Sequence, residues 1–227
     1  MVSAQERKIT VVNAPDANSQ AVAEHVIGLI LSFLRKYPLA FSSTKSGLWL
    51  KKELIGAELC AKTVGIIGYG HIGRKVEKLV KAFGAKVLIY SRSYKTCTLK
   101  TLFKKSDIIT LHLALTEETK GSISYANLKM MKASAILINT SRGEIIVEKD
   151  LNKILEDKVI AGAALDVFSQ EPLLSSSPLL KINNVILTPH IAASTKEALE
   201  RATNAVFSDI IYVLIGKKPI NPVKNIK

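Results

Sequence analysis

Short β-branched apolar runs alternate with amphipathic helical stretches along most of this chain, and that alternation predicts an α/β fold, a doubly wound parallel sheet. Two observations sharpen the expectation. The runs are apolar throughout rather than apolar and polar by turns, as strands buried on both faces must be. One of them, Val64–Ile67, leads directly into Gly68, Gly70 and Gly73 and then into a helical pattern, so strand, tight turn and helix follow one another within about twenty residues.

Taken in order, Ile9–Val12 reads as a short strand ended by the turn signal Asn13-Ala14-Pro15-Asp16. Ala21–Tyr37 is a helix, apolar around most of its circumference and stopped by Pro38. One flank should meet its own domain and another a second body, for which a second copy of the chain is the simplest choice. His25 on this helix reads as a packed or hydrogen-bonded histidine rather than a ligand. Ser42–Lys52 is a polar loop carrying the single tryptophan, Trp49. After strand Val64–Ile67, the residues Ile72, Val76, Leu79, Val80 and Phe83 recur at helical spacing, and Gly84 closes the pattern. Strand Lys86–Tyr90 follows, then helix Leu99–Lys105, strand Asp107–Leu113, helix Ser124–Met131 and strand Ala135–Asn139. Helix Glu148–Glu156 leads to strands Val159–Val167 and Asn184–Leu187, and a final helix, Thr195–Ile215, ends at Gly216 before a proline-containing tail.

The glycine turn carries chemistry. Gly68 permits the tight turn, Gly70 lets backbone approach a pyrophosphate, and Gly73 lets helix and strand pack closely, while the helix N-terminus favours an anion. This is a Rossmann-type dinucleotide fingerprint in its required context; a merely tight strand-to-helix turn is the plainer alternative. The end of the next strand chooses the cofactor. An Asp or Glu there would grip the ribose hydroxyls of NAD, but the chain reads Ser91, Arg92, Ser93, Tyr94, Lys95. A guanidinium, hydroxyls and an ammonium suit a 2′-phosphate, so NADP is expected over NAD, with NAD possible. A solvated basic turn is the alternative.

In such a sheet ligands sit beyond the carboxyl ends of the strands. There the sequence places Thr140-Ser141-Arg142-Gly143, then Asp166 with Glu171 soon after, then His190. An arginine, a carboxylate and a histidine at one crevice suit reduction of a 2-oxo acid. Arg142 can hold the substrate carboxylate and polarise its carbonyl, His190 can donate a proton, and Glu171 can orient His190. Taken singly, a loop salt bridge or a helix-flanking histidine would explain each.

Composition bounds the rest. At 227 residues and 48% hydrophobic the chain can bury a real core. No apolar run is long enough to span a bilayer and the N-terminus lacks a signal-peptide core, so a cytoplasmic protein with no membrane partner is expected. Cys60 and Cys97 lie too far apart for a CxxC unit, and no metal is expected. The formal charge of +13 raises nucleic acid as a partner. The lysines are scattered, however, with no arginine-rich run or aromatic interleaving, so a solvated surface without nucleic acid is the expectation.

These residues together resemble the D-isomer-specific 2-hydroxyacid dehydrogenases, nearest the NADP-preferring glyoxylate and hydroxypyruvate reductases. The matching stretches are NAPDANSQAVAEH (13–25), GLW (47–49), GIIGYGHIG (65–73), YSRS (90–93), LINTSRGEIIVEKDL (137–151), AGAALDVFSQEP (161–172) and NVILTPHIAAS (184–194). The resemblance implies that Arg142, Glu171 and His190 are the catalytic trio and that Asp166 contacts the nicotinamide carboxamide. It further implies cofactor contacts from Gly68, Tyr69, Gly70, His71, Ile72 and Gly73, from Ser91, Arg92 and Ser93, from Thr140, Ser141 and Arg142, and from His190, Ile191 and Ala192. A homodimer through the nucleotide-binding domain and a small 2-oxo acid substrate are implied as well. Ala61 and Ala114 depart mildly from the family pattern. The larger departure is that members begin with a flavodoxin-like substrate domain. Residues 1–20 are expected to be a remnant of it, 21–194 the nucleotide-binding domain, and 195–227 a helix and tail returning towards the substrate domain. A non-catalytic NADP-binding module, or one half of a split enzyme, is the alternative reading.

Overall fold

The computed structural model describes residues 4, 6, 7 and 9–223. Its centre is a six-stranded, wholly parallel sheet in the order β2-β1-β3-β4-β5-β6. The strands are β1 (Thr63–Ile67), β2 (Lys86–Tyr90), β3 (Ile108–Leu111), β4 (Ile136–Asn139), β5 (Gly162–Leu165) and β6 (Val185–Leu187). The chain moves from β1 outward to β2 and then returns to the other side of β1 for β3. That reversal creates the crevice where open α/β sheets bind ligands.

Successive residues along each strand serve different cores. Ile66, Ile108, Ile136, Ile138 and Ala164 pack into a cluster with Ala23, Val26 and Ile30 of α1 (Ser19–Leu34) and Val76 and Val80 of α3 (His71–Ala82). Ile67, Ile109, Leu111, Leu137, Ala163 and Leu165 pack into the opposite cluster. There they meet Leu102 and Phe103 of α4 (Leu99–Lys105), Leu128 of α5 (Tyr125–Leu128) and Leu151, Ile154 and Leu155 of α6 (Glu148–Glu156). Both faces are covered, which is why the strands read as unbroken apolar runs. Each fully buried isoleucine or leucine contributes about 1.5–3 kcal/mol.

Local chemistry sets the helix ends. The Thr98 hydroxyl accepts the Thr101 amide at 3.1 Å to start α4, and Asn127 Oδ1 accepts the Ser124 amide at 3.1 Å in front of α5. Past α3, Gly84 takes φ 78°, the left-handed stop that glycine provides.

Several expectations need correction. Pro38 does not stop the first helix. It sits in the first turn of α2 (Tyr37–Lys45), where a missing N–H costs nothing. The break lies at Arg35–Lys36, with Lys36 left-handed at φ 54°, and the two helix axes are bent by 63°. Consequently the first part of the expected loop Ser42–Lys52 is helical, its serine hydroxyls bonding carbonyls three or four residues back. Strand β3 is shorter than the expected Asp107–Leu113; just before it, the Asp107 side chain accepts the Thr63 amide at 2.8 Å and pairs with Lys132 Nζ at 2.8 Å. Strand β5 is shorter than the expected Val159–Val167, following a turn in which Lys158 takes φ 52°. The expected helix Ser124–Met131 is a single turn.

The chain divides into two compact units, residues 22–192 and residues 1–21 with 193–227. In the second, α7 (Lys196–Leu214) starts at Thr195, whose hydroxyl accepts the Ala198 amide at 3.1 Å. Among the described residues, the expected strand Ile9–Val12 shows one antiparallel bridge, between Val12 and Pro222, flanked by hydrogen bonds from Asn13 to Asn221 and from Val223 to Val11. Ile9 is exposed. Part of the proposed 1–20 remnant, and the end of the tail, lie outside the described residues. Among the described residues no single helix is long and apolar enough to cross a membrane.

Candidate active site

The glycine turn is built as its spacing demands. A Cβ on Gly68, which has φ 94°, would lie 2.2 Å from the His112 carbonyl oxygen, and one on Gly73 would lie 2.4 Å from the Gly68 carbonyl oxygen. Both positions are closed to any side chain. Gly70 is the opposite case, with nothing within 4 Å of its would-be Cβ, so the chain leaves that side open. Gly70 also caps α3 without a side-chain hydrogen bond, and no acidic residue occupies the helix's first turn. Amides at such a terminus are available to an anion. At the carboxyl end of β4 the Thr140 hydroxyl is buried without a protein partner. The open glycine, the anion-seeking helix end and an orphaned hydroxyl fit a dinucleotide.

Beyond β2 the chain forms a tight hairpin. Ser91 Oγ donates to the Tyr94 carbonyl at 2.8 Å and accepts the Tyr94 amide at 3.0 Å, while Tyr90 and Lys95 form a bridge. The Tyr94 ring stacks on Tyr69 at 5.0 Å between centroids, and the Arg74 guanidinium lies 4.7 Å above Tyr69. Arg92 stands at the hairpin tip and pairs with Glu118.

Three strand ends build the remaining part. Asn139, the last residue of β4, organises the turn after it. Its Oδ1 accepts the Ser141 amide at 3.1 Å and the Ser141 hydroxyl at 2.8 Å, and its Nδ2 donates to the Arg142 carbonyl at 2.9 Å. Arg142 is exposed there, its Nη1 donating to the Ser141 carbonyl at 2.6 Å. Gly143 presses directly on the next loop: a Cβ would fall 1.9 Å from the Phe168 carbonyl carbon and 2.1 Å from its oxygen. This backbone contact joins the Arg142 turn to the Phe168–Glu171 loop. Glu171 then accepts the Phe168 amide on Oε1 at 3.0 Å and holds His190 Nδ1 on Oε2 at 2.6 Å. A carboxylate can only accept, so Nδ1 carries the hydrogen and Nε2 faces away from Glu171. Burial alone would push the Glu171 carboxyl up; the His190 imidazole and the Phe168 amide outweigh it and hold the group below the usual range.

His190 has φ 55°, an unfavourable backbone conformation for a residue with a side chain. Asp166 maintains it. Fully buried, its carboxylate accepts the Thr188 hydroxyl at 2.5 Å, the Ile191 amide at 2.9 Å and the Ala192 amide at 2.8 Å, gripping the chain on both sides of His190. His25 Nε2 on α1 lies 3.3 Å from the Thr188 hydroxyl and 3.5 Å from Asp166 Oδ1. Burial pushes the Asp166 carboxyl up, but His25, Thr188 and the two amides overcome it and hold it low. His112, beside the glycine turn, is pushed by burial down to about 3; its Nε2 lies 3.0 Å from the Thr110 hydroxyl and its Nδ1 is buried without a partner.

Beside the Glu171–His190 pair is a cleft with an apolar wall of Phe168, Pro172, Leu173 and Pro189. A more capacious groove, bounded by Lys158, Lys181, Asn183 and Asn184, opens at the amino ends of β5 and β6. None of the fingerprint glycines, Arg142, Asp166, Glu171 or His190 lines it.

The structure therefore assembles Arg142, Glu171 and His190 along neighbouring strand ends, and the six residues from Gly68 to Gly73 at another. Of the positions that hold them, Gly143, Thr188 and His25 act through partners remote in the chain or through backbone packing, and Asn139 through the turn directly after it. Asp166 was legible as a polar residue at a strand end, but not as the grip on the His190 segment.

Comparison with known proteins agrees with this geometry. Residues 27–192 match the family model for the D-isomer specific 2-hydroxyacid dehydrogenase, NAD binding domain. The chain is 40% identical over 233 residues to a D-3-phosphoglycerate dehydrogenase of Archaeoglobus fulgidus, covering 98% of this chain and 44% of that protein. It is 41% identical over 231 residues to a glyoxylate reductase of Thermofilum pendens, covering 95% of this chain and 68% of the relative. Among solved structures it resembles an acyclic imino acid reductase in complex with NADPH and D-Arg, with a TM-score of 0.91, 34% identity, and coverage of 98% of this chain and 74% of that one. The chain thus spans less than half the length of the phosphoglycerate dehydrogenase it matches. With the fingerprint glycines, the six-stranded parallel sheet and the Arg142–Glu171–His190 strand ends all in place, the chain belongs to the D-isomer specific 2-hydroxyacid dehydrogenases and contains their NAD-binding domain.

Proposed function

We propose that this chain carries the cofactor-binding and proton-donating machinery of an NADP-preferring reductase of small 2-oxo acids, of the size of glyoxylate or hydroxypyruvate. The observation that carries the reading is the His190 Nδ1 to Glu171 hydrogen bond of 2.6 Å, held next to the Arg142 turn by the Gly143–Phe168 contact. Gly68 to Gly73 and the N-terminus of α3 hold the pyrophosphate, and Thr140, Ser141, Ile191 and Ala192 border the nicotinamide end. When bound, the nicotinamide supplies a hydride to the carbonyl carbon. Arg142 holds the substrate carboxylate and draws electron density from the carbonyl. Glu171 orients the imidazole through Nδ1, and His190 Nε2 gives a proton to the carbonyl oxygen, leaving the 2-hydroxy acid. Asp166 acts by fixing the His190 segment.

NADP is favoured over NAD because Arg92 follows β2 closely, in the turn where a carboxylate would otherwise select NAD, and the imino acid reductase with a similar fold was solved with NADPH. A homodimer belongs to the same reading, supported by the exposed apolar side chains Leu39, Phe41, Leu48, Trp49 and Ile55. Two free thiols suit a cytosolic setting.

The test is NADPH oxidation with glyoxylate and hydroxypyruvate. In an active preparation, His190→Gln should lower kcat by about 10²- to 10⁴-fold; unchanged turnover would overturn the reading. One observation favours a second reading, a cofactor-binding half that needs a separate substrate domain: the side chains of His190 and Glu171 are 46% and 36% exposed. Hydride transfer requires water to be kept from such a site. NADPH binding without turnover would select that second reading.

A further inference from the structure

We propose that Glu118 sets cofactor selectivity by competing with the 2′-phosphate of NADP for the Arg92 guanidinium. The inference rests on the NADP reading above and adds the residue that limits it. The end of β2 lacks the carboxylate that would discriminate against a 2′-phosphate. The fold supplies one from elsewhere: Glu118, in the turn after β3, pairs with Arg92.

Both partners are presented by backbone that is already fixed. Arg92 stands at the tip of the hairpin closed by the Ser91–Tyr94 hydrogen bonds and by the Thr96 amide, which donates to the Ile89 carbonyl at 2.9 Å. The Tyr94–Tyr69 stack ties that hairpin to the glycine turn. Glu118 stands in a turn where Thr119 Oγ1 donates to the Ala114 carbonyl at 2.6 Å and accepts the Thr116 amide at 2.8 Å. Only side-chain rotation is left to choose Arg92's partner. The pair is mostly in water, with side chains 76% and 74% exposed, so it opens at small cost. A 2′-phosphate offers the guanidinium three acceptor oxygens and a charge of roughly −1.5 to −2, and displaces the carboxylate readily. Glu118 is then left without its counter-charge and close to a dianion. NAD, with a hydroxyl at that position, meets no such repulsion. Glu118 therefore weakens NADP binding while sparing NAD.

The experiment is a fluorescence titration of NADPH and NADH against this chain, which reads binding without turnover. It is run for the wild-type chain, Glu118→Gln and Arg92→Gln. Glu118→Gln should tighten NADPH by about three- to tenfold and leave NADH within about twofold, with the gain shrinking as salt is raised. Arg92→Gln should lower the NADPH preference. A Glu118→Gln ratio within about twofold of wild type, or equal tightening of both cofactors, overturns the inference while the NADP reading stands, provided Arg92→Gln still lowers the preference. If Arg92→Gln leaves the ratio unchanged, or the wild-type chain binds neither cofactor, the NADP reading fails and the inference falls with it.

Discussion

Gly143 shows how little room some of these residues have. Its missing Cβ would lie 1.9 Å from the Phe168 carbonyl carbon, a backbone atom that cannot swing aside. Gly143→Ala should therefore separate the Arg142 turn from the Glu171 loop, costing about 1–3 kcal/mol of stability. Turnover should fall more than cofactor binding does, a split that kcat and a binding titration read together. Titration behaviour is also a single-residue property. His112 is held at about 3, below its ordinary value of roughly 6.5. The unfolded chain then binds a proton that the folded chain refuses. Its contribution is complete above about pH 6.5 and is lost as pH falls towards 3, with a slope near 1.4 kcal/mol per pH unit. Asp166 and Glu171 are held below the carboxylate range, so their contributions are present above about pH 4 and fade below it. Urea midpoints taken from pH 7 to 4 should decline in the wild type and decline less in His112→Phe. Equal slopes would contradict the assignment.

At the scale of elements, the parallel sheet was legible because one physical rule, burial on both faces, leaves an uninterrupted apolar run for every strand. The starts of α4 and α7 were readable to within one residue, and the structure caps them with the hydroxyls of Thr98 and Thr195. The bend between α1 and α2 was not, since a proline after an apolar helix is equally compatible with stopping it or starting another, and Lys36 takes its left-handed conformation without a glycine to announce it. Strand length also escaped the reading. Val159 and Ile160 are as apolar as their neighbours, yet pairing begins only at Gly162, where β5 and β6 come close to α1. A Cβ on Gly162 would meet the Asn184 carbonyl oxygen at 2.1 Å and the Phe33 ring at 2.6 Å. Gly162→Val should accordingly destabilise the domain by about 1–3 kcal/mol, seen as a lower denaturant midpoint at unchanged slope.

For the whole molecule, the candidate site unites residues from 68 to 190, and its two halves were unequally visible. Gly68 and Gly73 announce themselves because no other residue fits, and Arg142, Glu171 and His190 because polar groups just past apolar strands invite attention. The Asp166 grip, its His25 neighbour and the Arg92–Glu118 pair are long-range partnerships, and nothing at the individual positions betrays them. Ligand linkage tests the assembled molecule. A dinucleotide at a hundred times its Kd should raise stability by about 2.7 kcal/mol and shift Tm upward by a few degrees. A Tm indifferent to saturating NADPH would count against the binding site.

The order of strands has one more consequence, in time rather than in space. The phosphate-binding turn is complete once β1, β2 and β3 have paired, whereas His190 is placed only when the three-residue edge strand β6 docks on β5. Short edges fray first in native-state fluctuations. Transient opening of β6 would then displace His190, the proposed proton donor, while the cofactor stayed seated, so amide exchange at Val185–Leu187 should track loss of chemistry rather than release of the dinucleotide.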